Sequence, residues 1–204
     1  KHPEGGIKTY RFITSEVLLK APENYFDKYD EELLSAVGWV QNDLSDNDKS
    51  EIIGDSQRNP TDEAIQDKAF RAITGSVLKW LESSSWYDPF DKLILTALIA
   101  NEIIGFGKLD PLWRDREIDE ILCNGPNDVQ VEIRGQLHKV HSCTFIDETH
   151  LLRLISRLYS AIGKTISQMT PLVKGRLHDN SRMFAVHTSV APTGPNFSIR
   201  RHPE

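Results

Sequence analysis

The spacing of apolar residues changes once along the chain, at Gly105-Phe106-Gly107, and that change limits the fold more than any single motif. Before it, apolar positions recur every three or four residues. Tyr25, Phe26, Tyr29, Leu33, Leu34, Val37 and Val40 predict a helix from about Asn24 to Gln41. Residues 43–59 are polar and acidic, relieved only by Ile52-Ile53, and read as a loop. A second helix should start at Thr61 as N-cap, with Asp62 and Glu63 in its first turn and Ile65, Ala69, Ile73, Val77, Leu78 and Leu81 on its apolar face. Asp88-Pro89 opens a third, which Leu93, Ile94, Ala97, Leu98 and Asn101 carry to Gly105. Trp39, Trp80 and Trp86 are expected to anchor the packing. Residues 1–14 read as a turn-rich lead-in with one short extended piece.

Beyond Gly107 the runs are short and β-prone. Ile118 to Cys123, Val129 to Ile133 and Gln136 to Thr144 predict three strands, separated by Asn124-Gly125-Pro126-Asn127 and by the tight turn Arg134-Gly135. Asp147 caps a helix through Ala161, with Leu151, Leu152, Leu154, Ile155 and Leu158 on its buried side. Three further runs follow: Leu172-Val173, Met183 to Val186 and Phe197 to Ile199. The expected class is α+β: a helical N-terminal region over 1–104, then an α+β domain with a mostly antiparallel sheet over 105–204. At 39% hydrophobic and 26% charged residues the composition is that of an ordinary globular protein. No apolar run approaches the roughly 20 residues of a membrane span, and nothing at the N-terminus reads as a cleaved signal. Cys123 and Cys143 have no CxxC companion and are expected to be buried thiols in a reducing, cytoplasmic setting.

The basic residues are unevenly placed. From Thr149 onward there are eight Lys/Arg against two acids; the totals of 24 and 30 leave sixteen against twenty-eight for the rest. A net charge of -6 excludes whole-surface binding to nucleic acid, while the basic end points to a localised anionic partner. Arg176, Arg182, Arg200 and Arg201 stand at the borders of the last three strands. Any one of them could simply guard a sheet edge. Four guanidinium forks together suit phosphate oxygens.

Other candidate chemistry is incomplete. Gly163-Lys164-Thr165 resembles the tail of a phosphate loop, but the upstream glycine position is Leu158, and the tripeptide ends a helix instead of opening one. Gly163 is expected as a helix C-cap. The seven histidines contain no HExxH, although His178, His187 and His202 fall near the arginines. Asp115, Glu117, Asp119 and Glu120 form an acidic cluster that reads as a solvated connection sooner than as a metal site. No GxSxG elbow is present. No catalytic residue and no metal ligand is assigned within the chain.

The run from Asn101 to Leu112, NEIIGFGKLDPL, resembles the E-I-x-G-x-G-x-L-x-P-L signature of secretion and pilus motor ATPases. The nearest branch is the CpaF/TadA-type, tight-adherence group of the type II/type IV secretion superfamily. Ile118 to Pro126 resembles that family's v-t-E-I-x-v-N-G-P strand and turn, and Val129 to Glu132 with Arg134 to Leu137 resembles its next hairpin. Pro171 to Arg182 is similar to its P-x-v-x-x-R-L-x-D-G-S-R segment, and Ser198 to Arg201 to its t-I-R-R strand. The similarity runs in order from about Leu93 to Glu204. The chain departs from the pattern at Asn180, where the family has glycine, at Lys174 for a common acid, and at His178 for a common proline.

The resemblance implies a PAS-like domain at the N-terminal side of a hexameric P-loop motor, with the RecA-like domain and its Walker motifs beyond Glu204. It implies that Arg182 and Arg200 reach the phosphates of ATP, which the motor domain holds with Mg. Arg176 and Arg201 would then lie behind them or face a neighbouring subunit. It further implies no ATP turnover by this chain alone, partners among inner-membrane platform proteins, a cytoplasmic place at the inner face of the membrane, and no nucleic acid. The alternative is a stand-alone nucleic-acid- or anion-binding module that uses the basic C-terminal sheet. Such sheets interleave exposed aromatics with cations, and the candidates Phe184 and Phe197 are both expected in the core.

Overall fold

The structure, a computed structural model, describes residues 13–59, 62–86 and 88–202. The class is α+β: the larger helices come first, and a six-stranded antiparallel sheet follows. The described residues divide into two units, 13–14 with 28–110, and 15–27 with 111–202.

In the helical unit, α2 (Asp30–Asp43), α4 (Glu63–Ser83) and α5 (Pro89–Ile104) pack through Leu33, Ala36, Val40, Ile73, Val77, Leu95 and Ile99, all fully buried. Asp88 caps α5 by accepting from the N–H groups of Phe90 and Asp91, with Pro89 at the first helical position. Asp62 caps α4 by accepting from the Ile65 N–H at 3.0 Å. Thr61, expected in that role, lies outside the described residues, as does the extended piece expected within residues 1–12.

Residues 43–59 are not a loop. A π-helical segment, Asp48–Ile53, continues into α3 (Gly54–Arg58). Ser45 Oγ accepts from the Asp48 N–H, Gln66 Nε2 donates to the Ser56 carbonyl, and Gln57 Nε2 donates to the Ile103 carbonyl. One local cap and two partners from α4 and α5 hold in a helix a segment whose composition alone does not favour one. Three expected core positions are also corrected, the first being Tyr25, 40% exposed because the predicted helix starts only at Asp30. Trp39 and Leu78 are 40% and 52% exposed, because neither falls on the buried stripe of its helix, whereas Trp80 is buried. The Gly105 turn is tightly determined: Asp110 Oδ1 accepts from the Phe106 N–H, and a Cβ on Gly105 would lie 2.3 Å from that oxygen.

In the second unit the sheet order is β3-β2-β1-β6-β5-β4. The strands are β1 (Ile118–Asn124), β2 (Val129–Ile133), β3 (Gln136–Lys139), β4 (Leu172–Arg176), β5 (Arg182–Val186) and β6 (Asn196–Arg200). Two meanders thus meet at the central β1–β6 pair. The connecting helix α7 (Glu148–Ala161), capped by Asp147, turns Leu151, Leu154, Ile155, Leu158 and Tyr159 inward. Tyr159 donates its hydroxyl proton to the Val173 carbonyl, which sets the helix against one face of the sheet. Gly163, at φ +68°, ends α7 as expected of a C-cap. α1 (Ser15–Lys20), which no sequence signal marked, joins this unit through Ser142 Oγ donating to the Leu18 carbonyl and Ser15 Oγ donating to Asp115 Oδ2. β3 stops at Lys139 instead of Thr144, because the chain turns there to bury Val140, Cys143 and Phe145.

The turn between β4 and β5 contains Asn180 at φ +66°, where the resembling family has glycine. Its N–H donates to the Leu177 carbonyl. Asparagine tolerates the left-handed region, so Asn180→Gly should leave stability within a few tenths of a kcal/mol. Asn180→Val should lower it by roughly 1–2 kcal/mol in denaturant unfolding.

A candidate anion site on the open face of the sheet

The two-residue period of a strand sends alternate side chains to opposite faces. In β4, β5 and β6 one set is Val173, Met183, Ala185, Phe197 and Ile199, all buried, with Gly175 lying against Tyr159 and Ile162. The other set, on the face away from α7, is Lys174, Arg176, Arg182, Phe184, Ser198 and Arg200, with Leu172, Val186 and Asn196 as an uncharged row beyond them. Register then aligns this second set in rows. Arg176 stands opposite Arg182, Arg182 opposite Arg200, and Arg200 opposite Glu120 of β1. One step along, Lys174, Phe184 and Ser198 form the next row.

These residues line a shallow cavity of about 680 Å³, joined by Lys164 from just beyond α7. Five cations (Lys164, Lys174, Arg176, Arg182 and Arg200) surround a single carboxylate, Glu120. Like charges directly opposite each other on neighbouring strands destabilise a sheet. Three arginines in consecutive register therefore carry a cost that a bound polyanion would reverse. Among the described residues neither Arg176 nor Arg182 has an ion-pair partner. Arg200 Nη1 lies 3.7 Å from Glu120 Oε2 while its side chain stays 61% exposed. Glu120 thus competes with any anion for Arg200. Glu120→Gln should tighten binding of inorganic triphosphate several-fold, since a pair of this exposure is worth at most about 1 kcal/mol; calorimetric titration at low salt reads the change.

Arg201 does not join the other three. One residue past the end of β6, it turns to the opposite side, and its guanidinium donates to the carbonyls of Ile118 and Asp115, both at 2.9 Å, and of Trp113. Its carbon sits 4.2 Å from the centroid of the Trp113 ring. Burial lowers its pKa, against the opposing influence of nearby carboxylates. The residue closes the end of the sheet.

Phe184 corrects another expectation. It is 39% exposed on the cationic face, while Phe197 is buried. The unbroken apolar run Met183 to Val186 hides the alternation, but Arg182 discloses it: two residues from an outward arginine, Phe184 must face outward as well. Lys164 and Lys174 join the site without any local sequence signal. The ammonium of Lys164 donates to the Lys174 carbonyl at the free edge of the sheet.

The remaining candidates are dispersed. His178, His187 and His202 do not line the cavity, and His187 shares a hydrogen bond with Ser189. Of the acidic cluster, Asp115 accepts from Ser15 and from the Glu117 N–H, Asp119 accepts from the Arg134 N–H, and Glu117 pairs with Arg134. Among the described residues no three His, Cys, Asp or Glu side chains converge to hold a metal ion. Cys123 and Cys143 are buried free thiols, and burial pushes the Cys123 thiol well above its usual range. A second cavity, of about 640 Å³, runs along α4 and α5 with a largely apolar lining that includes Phe70, Leu78, Leu81 and Leu93.

No protein-family model matches the chain. Over 107 residues, 51% of its length, it is 34% identical to Uncharacterized protein MJ0900 of Methanocaldococcus jannaschii. Over 90 residues, 44% of its length, it is 32% identical to Uncharacterized protein MJ1288 of the same organism. The chain spans 19% and 36% of these two relatives. Among solved structures it is similar to the VirB11 ATPase from the Brucella suis type IV secretion system, crystallised with sulphate. That similarity has a TM-score of 0.40 and 23% identity, and covers 48% of this chain and 31% of that one.

Proposed function

We propose that this chain is an N-terminal region of a type II/type IV secretion-superfamily motor ATPase, in which the arginine row closes over the phosphates of ATP held on a P-loop domain. The observation that carries the reading is the register of Arg176, Arg182 and Arg200 on one open face. The ordered motifs between Asn101 and Arg201 support it independently. In such a site the guanidinium groups stabilise charge that builds on the γ-phosphate during transfer. ATP and Mg would be held mainly by the motor domain, and a hexameric ring would bring the two together. Among the described residues no helix is long and apolar enough to cross a membrane. Contact with a pilus or secretion platform in the inner membrane would accordingly run through partner proteins.

The test uses a polypeptide that carries both this region and a GxxxxGK[ST] loop. ATP turnover should be confined to that polypeptide and absent from the purified 204-residue chain. Arg182→Ala should lower its turnover by on the order of 100-fold or more. Turnover by the isolated chain, or full turnover in the Arg182→Ala protein, would overturn the proposal. The exposed ring of Phe184 beside Lys174 and Arg182 favours one second reading, a single-strand nucleic-acid platform. Oligonucleotide affinity that falls steeply with salt and depends on Arg200 would distinguish it.

A further inference from the structure

We propose that the ligand of the arginine face is a nucleoside polyphosphate whose base stacks on Phe184, so that this sheet engages the nucleoside as well as the phosphates. The inference rests on the reading of the arginine row as a phosphate site. Phe184 lies two residues along β5 from Arg182, about 7 Å at the rise of an extended chain. That interval is comparable to the ribose that separates a base from its first phosphate, and the row running across the strands from Arg182 to Arg200 would follow the chain on toward the γ-phosphate. The ring stands on the sheet: it is 39% exposed, while its neighbours Met183 and Ala185 are at 2% and 0%. The buried face beneath it is filled by the alternate residues Met183 and Ala185, while on the open face Leu172 and Val186 form the next row beyond Phe184.

The surroundings suit a stacked base. Lys174 and Ser198 flank Phe184 in the same cross-strand row, one on each side. A base lying over the ring would present its edges to an ammonium donor and to a hydroxyl that both donates and accepts. Its π-face would cover apolar surface now in water. All of these groups line the same cavity, whose volume of about 680 Å³ falls within the range that holds small ligands. Stacking is tolerant of base identity, so ATP and GTP should bind alike, and the discrimination is between nucleotide and bare polyphosphate.

The test titrates the purified 204-residue chain with ATP and with inorganic triphosphate at matched ionic strength, followed by amide chemical shifts. ATP should bind roughly tenfold more tightly than triphosphate. In Phe184→Ala the ratio of the two dissociation constants should fall toward one, and Phe184→Trp should restore it. A ratio near one in the unaltered chain, or an unchanged ratio in Phe184→Ala, overturns the inference and leaves the phosphate reading standing. Triphosphate binding that Arg182→Ala fails to weaken, or no binding of either ligand at millimolar concentration, overturns the phosphate reading and the inference with it. Tighter binding of a single-stranded oligonucleotide than of ATP at equal salt overturns the inference in favour of a nucleic-acid platform.

Discussion

Arg182→Glu should weaken triphosphate binding by roughly 100-fold or more, while the protein melts at the same temperature or slightly higher. Arg182 is the middle member of the row, between Arg176 and Arg200 on strands about 5 Å to either side. A glutamate there removes one fork and also draws its two neighbours into ion pairs across the strands. The lining changes from five cations and one carboxylate to four and two. Arg182→Ala, which removes only the one fork, should cost about tenfold. The folding effect has the opposite sign. Relief of like-charge contacts on both sides of β5 should stabilise the sheet by up to about 1 kcal/mol. Calorimetric titration and thermal melting of the same preparations check both halves. Equal losses of affinity and stability would mean that the row holds the sheet together instead of serving a ligand.

Arg201→Met should behave in the reverse manner, leaving anion binding near its original level but lowering stability by about 3 kcal/mol. The guanidinium holds three backbone carbonyls, those of Trp113, Asp115 and Ile118, and lies over the Trp113 ring. Methionine fills similar space but leaves the carbonyls without this donor, and each partly buried acceptor so stranded costs about 1 kcal/mol, not strictly additively. Against a typical total of about 5–15 kcal/mol that is a large share. Arg201→Lys should recover only part of it, because one ammonium cannot reproduce a planar fork aimed at several acceptors. Denaturant unfolding gives the loss, and triphosphate titration shows whether binding stays intact. A loss of affinity as large as that of Arg182→Glu would place Arg201 with the ligand-facing residues.

The contrast between these two arginines shows how far the sequence could be read. Which face a strand residue takes follows from local alternation, so the shared side of Arg182 and Arg200 was within reach, and so was the outward ring of Phe184 once Arg182 is used to set the phase. Caps at Asp88 and Asp147, the C-cap at Gly163 and the left-handed Asn180 were legible for the same reason: each involves groups only a few residues apart. Arg201 was not legible. Its partners lie 83 to 88 residues away in sequence, and no local pattern distinguishes an arginine bound for solvent from one that will seal a strand end. The helical state of residues 48–58 belongs with it, since Gln57 and Gln66 reach across the unit to secure it.

The amino-acid sequence by itself determined the order of the longer helices and of the strands, the turns, the basic end and the side of the strand that Arg176, Arg182 and Arg200 take, because period, capping and backbone preference act over a few residues. The tertiary structure alone decided that β6 pairs with β1 as well as with β5, and hence that Glu120 confronts Arg200 and that separate arginines become one row. Strand pairing is a choice among distant segments, made by burying the face that α7 covers. The chemistry of the open face follows from a register selected on the other side of the sheet.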